Sequence, residues 1–173
     1  MPLPIAHGII GASIVATMLP GASPVRNWRP LLLGAAIAGC ADLDYFLSTS
    51  LHRGITHSLL FAAFLSLVCL AIWGRANPRW AIGFTGAAFS HGLLDFLTTK
   101  TMPGVELLWP LSRRRFGLGL VDYYQLTGVD PVYFLYQDVF GDLLKMTLIE
   151  LLLSVPVFLF VLSVKWSVNN SSR

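Results

Sequence analysis

Long apolar segments separated by short polar connections constrain the fold of this chain more than any other feature. Such segments occupy residues 3–19, 30–47, 80–99 and 143–166, and another runs from a helix cap at Thr56 or Ser58 to Trp73. A helix of roughly 20 apolar residues is long enough to cross a bilayer. The chain is 55% hydrophobic with a mean hydropathy of +0.67, outside the usual soluble range. We therefore predict an all-α, polytopic membrane helix bundle of about five transmembrane helices.

The 173 residues suit a single integral membrane domain with three parts. Residues 1–100 form a four-helix core, and residues 142–166 form the last transmembrane helix. Between them, residues 101–141 are rich in proline, glycine, charge and aromatic side chains, including Trp109, Phe116 and four of the five tyrosines. That mixture is typical of a segment lying at the level of the lipid headgroups.

Charge and cysteine usage exclude several classes of protein. The net charge is +3, but the basic residues lie between apolar runs, where they set membrane topology, so we expect no nucleic-acid partner. Cys40 and Cys69 lie inside apolar runs without CxxC spacing, which indicates small buried side chains rather than a disulfide or a zinc clip. No basic stretch precedes the first apolar run, so we expect the first helix, which carries His7, to be retained.

A concentration of ionisable residues falls between the second and third apolar segments: Asp42, Asp44, His52, Arg53 and His57. Charged residues make up only 12% of the chain, and ionisable side chains in or beside a bilayer are costly. They are therefore the first candidates for function.

The same residues converge if the first four apolar segments cross the membrane alternately. The start of helix 1, the end of helix 2, the start of helix 3 and the end of helix 4 then share one membrane face. These four places hold His7, Asp42 with Asp44, His52 with His57, and His91 with Asp95. Positions two apart point to nearly opposite sides of a helix. Asp42 and Asp44 can therefore share a site only if the helix is ending, or if one of them supports a ligand from behind.

Imidazole and carboxylate donors predict a divalent metal site, with zinc favoured and manganese or iron as alternatives. We expect two ions, because one tetrahedral ion needs fewer ligands than this set provides. The expected metal ligands are His7, Asp42, Asp44, His57, His91 and Asp95. Asp44, His52 and Arg53 are the expected catalytic residues, Asp44 bridging the ions or taking a proton and Arg53 steadying an anionic transition state.

Several motifs resemble the bacterial membrane-bound metal-dependent hydrolases of the YdjM type, which are sometimes described as LexA-regulated. They are Pro-Ile-Ala-His-Gly at 4–8, Asp-Leu-Asp at 42–44, His-Arg-Gly-Ile-Thr-His-Ser at 52–58, Ser-His-Gly-Leu-Leu-Asp at 90–95 and Gly-Val-Glu-Leu-Leu-Trp-Pro-Leu-Ser at 104–112. The resemblance covers most of residues 1–112 and implies hydrolysis at the bacterial inner membrane without naming a substrate.

The order of the candidate ligands is also similar, more distantly, to that in zinc-dependent phospholipase C and P1-type nucleases. That likeness implies that His7 binds one ion, that Asp42 or Asp44 bridges, and that His57, His91 and Asp95 bind the other. Those enzymes use further histidines downstream, whereas no histidine follows His91 here, which favours two ions over three.

These patterns together predict a membrane-embedded metal-dependent hydrolase acting through a metal-activated hydroxide on a phosphoester in a lipid or lipid-linked substrate. The alternatives are a metal carrier or sensor without catalysis, and a structural membrane protein. By the positive-inside rule, the arginine-rich connections around Arg29 and Arg75 are predicted to face the cytoplasm, so the metal site is predicted to face outward. The run Arg113 to Arg115 is expected to be solvated or to face lipid headgroups. Glu150 is expected near the interface or packed on a polar neighbour, and is given no role.

Overall fold

The computed structural model describes residues 4–19, 28–47, 52–100, 104–121, 123–129 and 139–171, and within them the chain is helical apart from turns and one isolated β-bridge. The helices are α1 (Pro4–Met18), α2 (Trp28–Gly39), α3 (Asp44–Leu47), α4 (Leu59–Trp73), α5 (Pro78–Thr98), α6 (Tyr123–Thr127) and α7 (Val139–Ser171). Tighter 3-10 turns occupy Cys40–Leu43 and Ile55–His57. The all-α class is therefore confirmed for the described residues.

Local sequence signals set the helix boundaries next to the site. Ser58 caps α4, because its hydroxyl accepts a hydrogen bond of 3.1 Å from the backbone N–H of Phe61. Pro78 begins α5, at a position where a missing N–H costs no helical hydrogen bond. One of the two caps expected from the sequence, Ser58, is thereby confirmed.

Helix α1 lies at the centre and packs against α2, α5 and α7. A Cβ added at Gly11 would lie 2.6 Å from the carbonyl oxygen of Gly34, so these two glycines allow the backbones of α1 and α2 to approach closely. Val15 and Phe84 are fully buried in the core beside this crossing. Gly11 and Gly34 therefore lie on the surface where α1 and α2 pack together.

The surface is unusually apolar, and the interior unusually polar. Leu32, Leu67 and Leu152 are 59%, 66% and 72% exposed, while His7 and Asp95 are both 0% exposed. Large exposed apolar patches of this kind mark contact with a membrane or a partner. The distribution is the one expected for helices whose outer faces contact lipid.

Among the described residues, one helix is long and apolar enough to cross a membrane by length and composition, over Val139–Val168. Helices α1 and α4 are apolar but have 15 residues each, a rise of about 22 Å at 1.5 Å per residue, short of the roughly 30 Å of a hydrocarbon core. The expectation of about five spans thus remains a prediction. Tyr133 and Tyr136 of the expected headgroup segment lie outside the described residues, as do Arg26 and Arg173, two further basic residues on the face expected in the cytoplasm.

Candidate metal centre

Helices α1 and α5 bring together the first pair of expected ligands. His7 lies in the first turn of α1 and Asp95 near the end of α5, and both side chains are completely buried. Nε2 of His7 lies 3.3 Å from Oδ1 of Asp95. Residues 88 positions apart in the sequence therefore meet at one end of the bundle, as the alternation of helices predicted.

The 3-10 turn at Cys40–Leu43 separates the two aspartates that follow α2. Oδ1 of Asp42 lies 3.5 Å from Nε2 of His57 and 3.6 Å from Nε2 of His91. Asp44 instead approaches the opposite edge of the His57 ring, where its Oδ2 lies 3.5 Å from Nδ1. The two carboxylates thus lie on opposite edges of one imidazole.

His57 reaches the centre because α5 carries a glycine where it meets the 3-10 turn at Ile55–His57, which we call the histidine turn. A Cβ at Gly92 would lie 2.6 Å from the carbonyl oxygen of His57, so a larger residue would push the histidine turn away. With glycine there, Nε2 of His57 lies 3.2 Å from Oδ2 of Asp95. Burial lowers the pKa of His57, but the surrounding carboxylates of Asp42, Asp44 and Asp95 raise it well above its ordinary value.

His91 is held in a defined tautomer by the end of α2. Its Nδ1 donates a hydrogen bond of 2.7 Å to the carbonyl oxygen of Ala38, which leaves Nε2 with its lone pair facing the centre. A backbone carbonyl in this position orients metal-binding histidines in many proteins. The rings of His7 and His57 lie beside His91, with centroids 4.0 and 4.5 Å from its own.

The buried atoms that face one another at this centre have no hydrogen-bond partner among the described residues. They are Nε2 of His7, His57 and His91 and both carboxylate oxygens of Asp42 and Asp95. Leaving so many buried polar atoms unpaired would cost about 1–3 kcal/mol each. One donor atom from each of Asp42, His57, His91 and Asp95 lies within 4.8 Å of the others, which is compatible with binding a common ion. The nitrogen and oxygen donors fit zinc, manganese or iron. We call this set, with His7, the inner cluster.

A second group lies behind His57 and consists of Asp44, His52 and Thr56. Oδ1 of Asp44 lies 2.7 Å from Nδ1 of His52, and Oδ2 accepts a hydrogen bond from the Thr56 hydroxyl. Burial raises the pKa of Asp44, but the hydrogen bonds from His52, His57 and Thr56 outweigh it and hold the pKa below its ordinary value. Donor atoms of Asp44, His52 and His57 also lie within 4.8 Å of one another. The structure therefore places the expected site residues in an inner and an outer group that share His57.

Comparison with known proteins bears on the whole chain. The YdjM inner membrane protein family matches residues 1–169. The chain belongs to this family. A curated relative, the inner membrane protein YbcI of Escherichia coli (strain K12), is 46% identical over 69 residues, which are 38% of this chain and 39% of the relative. No solved structure matches the chain. The family and the relative place this protein at the bacterial inner membrane.

Within the residues matched by the YdjM family, a hairpin closed by Val105 and Phe116 covers the histidine turn. Most of the motifs identified in the sequence precede it. Val105 and Phe116 form a two-way backbone bridge, and the N–H of Glu106 donates to the carbonyl oxygen of Arg53 at 3.0 Å. Nη2 of Arg115 donates to the carbonyl oxygen of His52 at 3.4 Å. The hairpin thus fixes the backbone of the loop that carries the outer group.

The four arginines considered in the sequence, Arg53 and Arg113 to Arg115, have different surroundings in this YdjM-family chain. Arg53 is 4% exposed and has a positive φ of 66°, a backbone conformation unusual outside glycine and common at functional sites. Arg115 lies 3.5 Å from the Glu106 carboxylate, so it has a structural role in the hairpin. Arg113 and Arg114 are exposed, as expected for residues at the headgroups.

Sequence reasoning missed one buried acidic residue. Glu150 of α7 is 1% exposed, and its Oε2 accepts a hydrogen bond of 3.1 Å from the N–H of Ala6, next to His7. The signal that could have found it is a carboxylate alone in a long apolar run, since such a group must find a partner inside the protein.

Proposed function

We propose that this protein is a membrane-embedded metal-dependent hydrolase that cleaves a phosphoester bond in a lipid or lipid-linked substrate. The observation that carries the proposal is the inner cluster, in which five buried side chains face one another with nitrogen and oxygen atoms that lack a hydrogen-bond partner among the described residues. Such a cluster is costly without a cation and well suited to bind one.

In this proposal Asp42, His57, His91 and Asp95 hold the ion, with His7 beside Asp95. A bound divalent cation lowers the pKa of coordinated water from about 15.7 towards roughly 7 and polarises a phosphoryl oxygen. Asp44, 3.5 Å from Nδ1 of His57, would orient that ring, and Asp44 with its partner His52 would accept a proton during the reaction. The outer group would also offer ligands to the second ion expected from the sequence.

The phosphoester part of the proposal is supported by Arg53. Arg53 is 4% exposed and lies in the same loop as His52 and His57, so its cationic side chain is buried beside the proposed site. A buried guanidinium favours a planar or tetrahedral oxyanion partner, because its rigid donors match carboxylate and phosphate oxygens. Arg53 would neutralise the charge that develops on the phosphoryl group.

The lipid part of the proposal is supported by a groove next to the inner cluster. A cavity of about 480 Å³ opens between α1 and α2, lined by apolar or small residues that include Pro4, Gly8, Ala36, Gly39 and Leu43. Gly8 follows His7 in the chain and Leu43 follows Asp42, so residues of the groove wall are direct chain neighbours of two proposed ligands. An acyl chain lying there would bring its headgroup to the ion.

We extend the proposal to topology: α1, α2, α4, α5 and α7 cross the inner membrane, and the inner cluster lies near its outer surface. Arg29, Arg75, Arg79 and Lys165 lie at the opposite end of the bundle, where the positive-inside rule predicts cytoplasm.

Metal analysis and substrate screening together test the function. We expect purified protein in nanodiscs to bind zinc or manganese stoichiometrically, and to hydrolyse either a phospholipid or bis-p-nitrophenyl phosphate. His57→Ala and Asp95→Ala should lose both properties. Stoichiometric metal without turnover of any phosphoester would favour a carrier or sensor, and folded protein without metal would favour a structural role.

The groove is tested separately by Ala36→Phe, because Ala36 is exposed on its wall. The larger side chain should block an acyl chain, so hydrolysis of a long-chain phospholipid should fall at least tenfold. Metal content and hydrolysis of the water-soluble diester should stay unchanged. Equal loss on both substrates would contradict the assignment of the groove.

A further inference from the structure

Glu150 is the one acidic residue between Lys145 and Lys165 of α7, a stretch that is otherwise apolar or weakly polar. It is 1% exposed, so its carboxylate is removed from both water and lipid headgroups. A carboxylate in such surroundings is costly unless the protein gives it a hydrogen-bond donor or positive charge.

The donor comes from the start of α1. The N–H of Ala6 points to Oε2 of Glu150 at 3.1 Å. Because α1 begins at Pro4, this N–H belongs to the first turn, where no helical carbonyl can accept it. The same turn carries the positive end of the helix dipole, which favours a negative partner. Glu150 therefore caps α1 from another helix.

The other end of α1 has a matching contact with the same helix. Nζ of Lys165 donates to the carbonyl oxygen of Leu19, next to the last residue of α1. The negative end of the helix dipole is thus met by a cation, as the positive end is met by an anion. Helix α7 runs parallel to α1 and holds it at both ends.

The contact at the start of α1 bears directly on the inner cluster, because His7 follows Ala6. His91 is oriented by the carbonyl of Ala38, and Nδ1 of His57 lies 3.1 Å from the Thr56 hydroxyl. By contrast, neither ring nitrogen of His7 has a hydrogen-bond partner among the residues that the structure describes. Among these residues the His7 ring contacts Asp95 and His91, inside the cluster itself, so the position of α1 determines whether the ring reaches them.

We propose that Glu150 is a positioning residue of the metal centre: by capping α1, it holds His7 at the inner cluster. The inference rests on the metal binding in the proposed function, but not on hydrolysis. It assigns to α7 a part in metal binding without supplying a ligand. Lys165 holds the same helix pair far from His7, and so provides a matched control.

The test uses Co²⁺ as a probe with the full-length protein in nanodiscs, since its visible spectrum reports the donors around it. We expect Glu150→Ala to weaken Co²⁺ binding about tenfold or more, the size usual for loss of a supporting contact. Its spectrum should match that of His7→Ala. Glu150→Gln keeps an oxygen that can accept from Ala6, so it should retain the wild-type spectrum. Lys165→Met should lower the melting temperature but leave the spectrum and the affinity unchanged.

A double-mutant cycle gives the sharper result. If Glu150 acts through His7, then adding Glu150→Ala to His7→Ala should weaken Co²⁺ binding no further. Additive losses would overturn the inference, as would a Glu150→Ala protein with the wild-type spectrum and affinity. If Glu150→Ala does not fold, Glu150→Asp, whose carboxylate ends one methylene short of Ala6, should weaken binding about threefold, and an unchanged affinity would overturn the inference.

The outcomes for wild-type protein separate this inference from the proposed reaction. Co²⁺ binding without hydrolysis of any phosphoester overturns only the reaction. Absence of Co²⁺ binding overturns the metal centre and, with it, the role of Glu150.

Discussion

Each histidine of the inner cluster is held by different means, and this determines how each should respond to mutation. Nδ1 of His91 donates to a backbone carbonyl, which no side-chain substitution removes. Nδ1 of His57 faces the Asp44 carboxylate at 3.5 Å, which a substitution can remove. A substitution of Asp44 can therefore remove a contact that orients His57 without removing a donor atom of the inner cluster.

We expect Asp44→Asn to weaken metal binding about 10- to 100-fold, because His57 loses the carboxylate behind it. Asp95→Asn should abolish binding, since Asp95 lies inside the cluster. Isothermal titration with Zn²⁺ measures both. Asp142→Asn is the matched control, because its pair with Lys145 lies near the surface, so affinity should not change. If Asp44→Asn instead halves the number of bound ions and leaves the affinity of the remainder intact, Asp44 is a ligand of a second ion.

The raised pKa of His57 predicts opposite pH trends for metal-free and metal-bound protein. A histidine whose pKa is raised on folding stabilises the metal-free protein fully below its unfolded pKa of about 6.5. That stabilisation is lost as pH rises through the higher folded pKa. Metal must displace the same proton, so metal affinity should rise with pH over this window.

Thermal unfolding from pH 6.5 upward, with and without Zn²⁺, measures both trends. His57→Gln should remove the decline seen in the metal-free protein. A metal-free wild-type protein that gains stability over the same pH range would contradict the assignment.

At the element scale, the ends of the helices were more predictable than the connections that shape the site. Ser58 acts through local backbone chemistry, so the sequence alone could place that cap, whereas α5 begins at Pro78, two residues before the apolar segment expected from residue 80. The 3-10 turn places Asp42 and Asp44 at opposite edges of His57. From the sequence, an ending helix at these residues was only one of two explanations, the other being that one aspartate supports a ligand from behind. The backbone bridge between Val105 and Phe116 joins residues 11 positions apart, and no local sequence pattern predicted it.

The contact between α5 and the histidine turn yields an element-scale prediction. A methyl group at Gly92 would lie 2.6 Å from the carbonyl oxygen of His57, closer than atoms normally approach. We expect Gly92→Ala to displace the turn, weaken Zn²⁺ binding at least tenfold and destabilise the protein by about 1–3 kcal/mol. Gly39→Ala is the control, because the contact its Cβ would make with the described part of the chain is an ordinary one, 3.7 Å from the Pro4 carbonyl oxygen. Equal metal affinity in the two variants would show that the turn tolerates the methyl group.

At the scale of the whole molecule, the sequence could predict where ligands converge but not how α7 joins them. His7 and Asp95 meet because alternating helices return to the same face, and that inference needs only the order of apolar segments. Glu150 was missed because its partner is a backbone N–H, which every residue but proline possesses. Only the packing of α7 against α1 identifies Ala6 as that donor.

The parallel arrangement of α1 and α7 also makes a prediction about orientation. Glu150 meets the start of α1 and Lys165 meets its end, so the starts of both helices face one side of the membrane. The histidine turn and the hairpin lie on that side, and the α4–α5 connection with Arg75, followed by Arg79 in the first turn of α5, lies on the other. The positive-inside rule then places the arginine connection in the cytoplasm.

Single cysteines in a chain with Cys40 and Cys69 replaced by alanine can test this arrangement. Leu111 of the hairpin is 92% exposed, and Ala76 of the α4–α5 connection is also exposed. In spheroplasts, a membrane-impermeant maleimide should label Leu111→Cys at once and Ala76→Cys only after lysis. The reverse order would invert the orientation while preserving the bundle. Labelling of both sites before lysis would mean that α4 and α5 do not separate them across the bilayer, and a site beneath one lipid surface would then lose its physical basis.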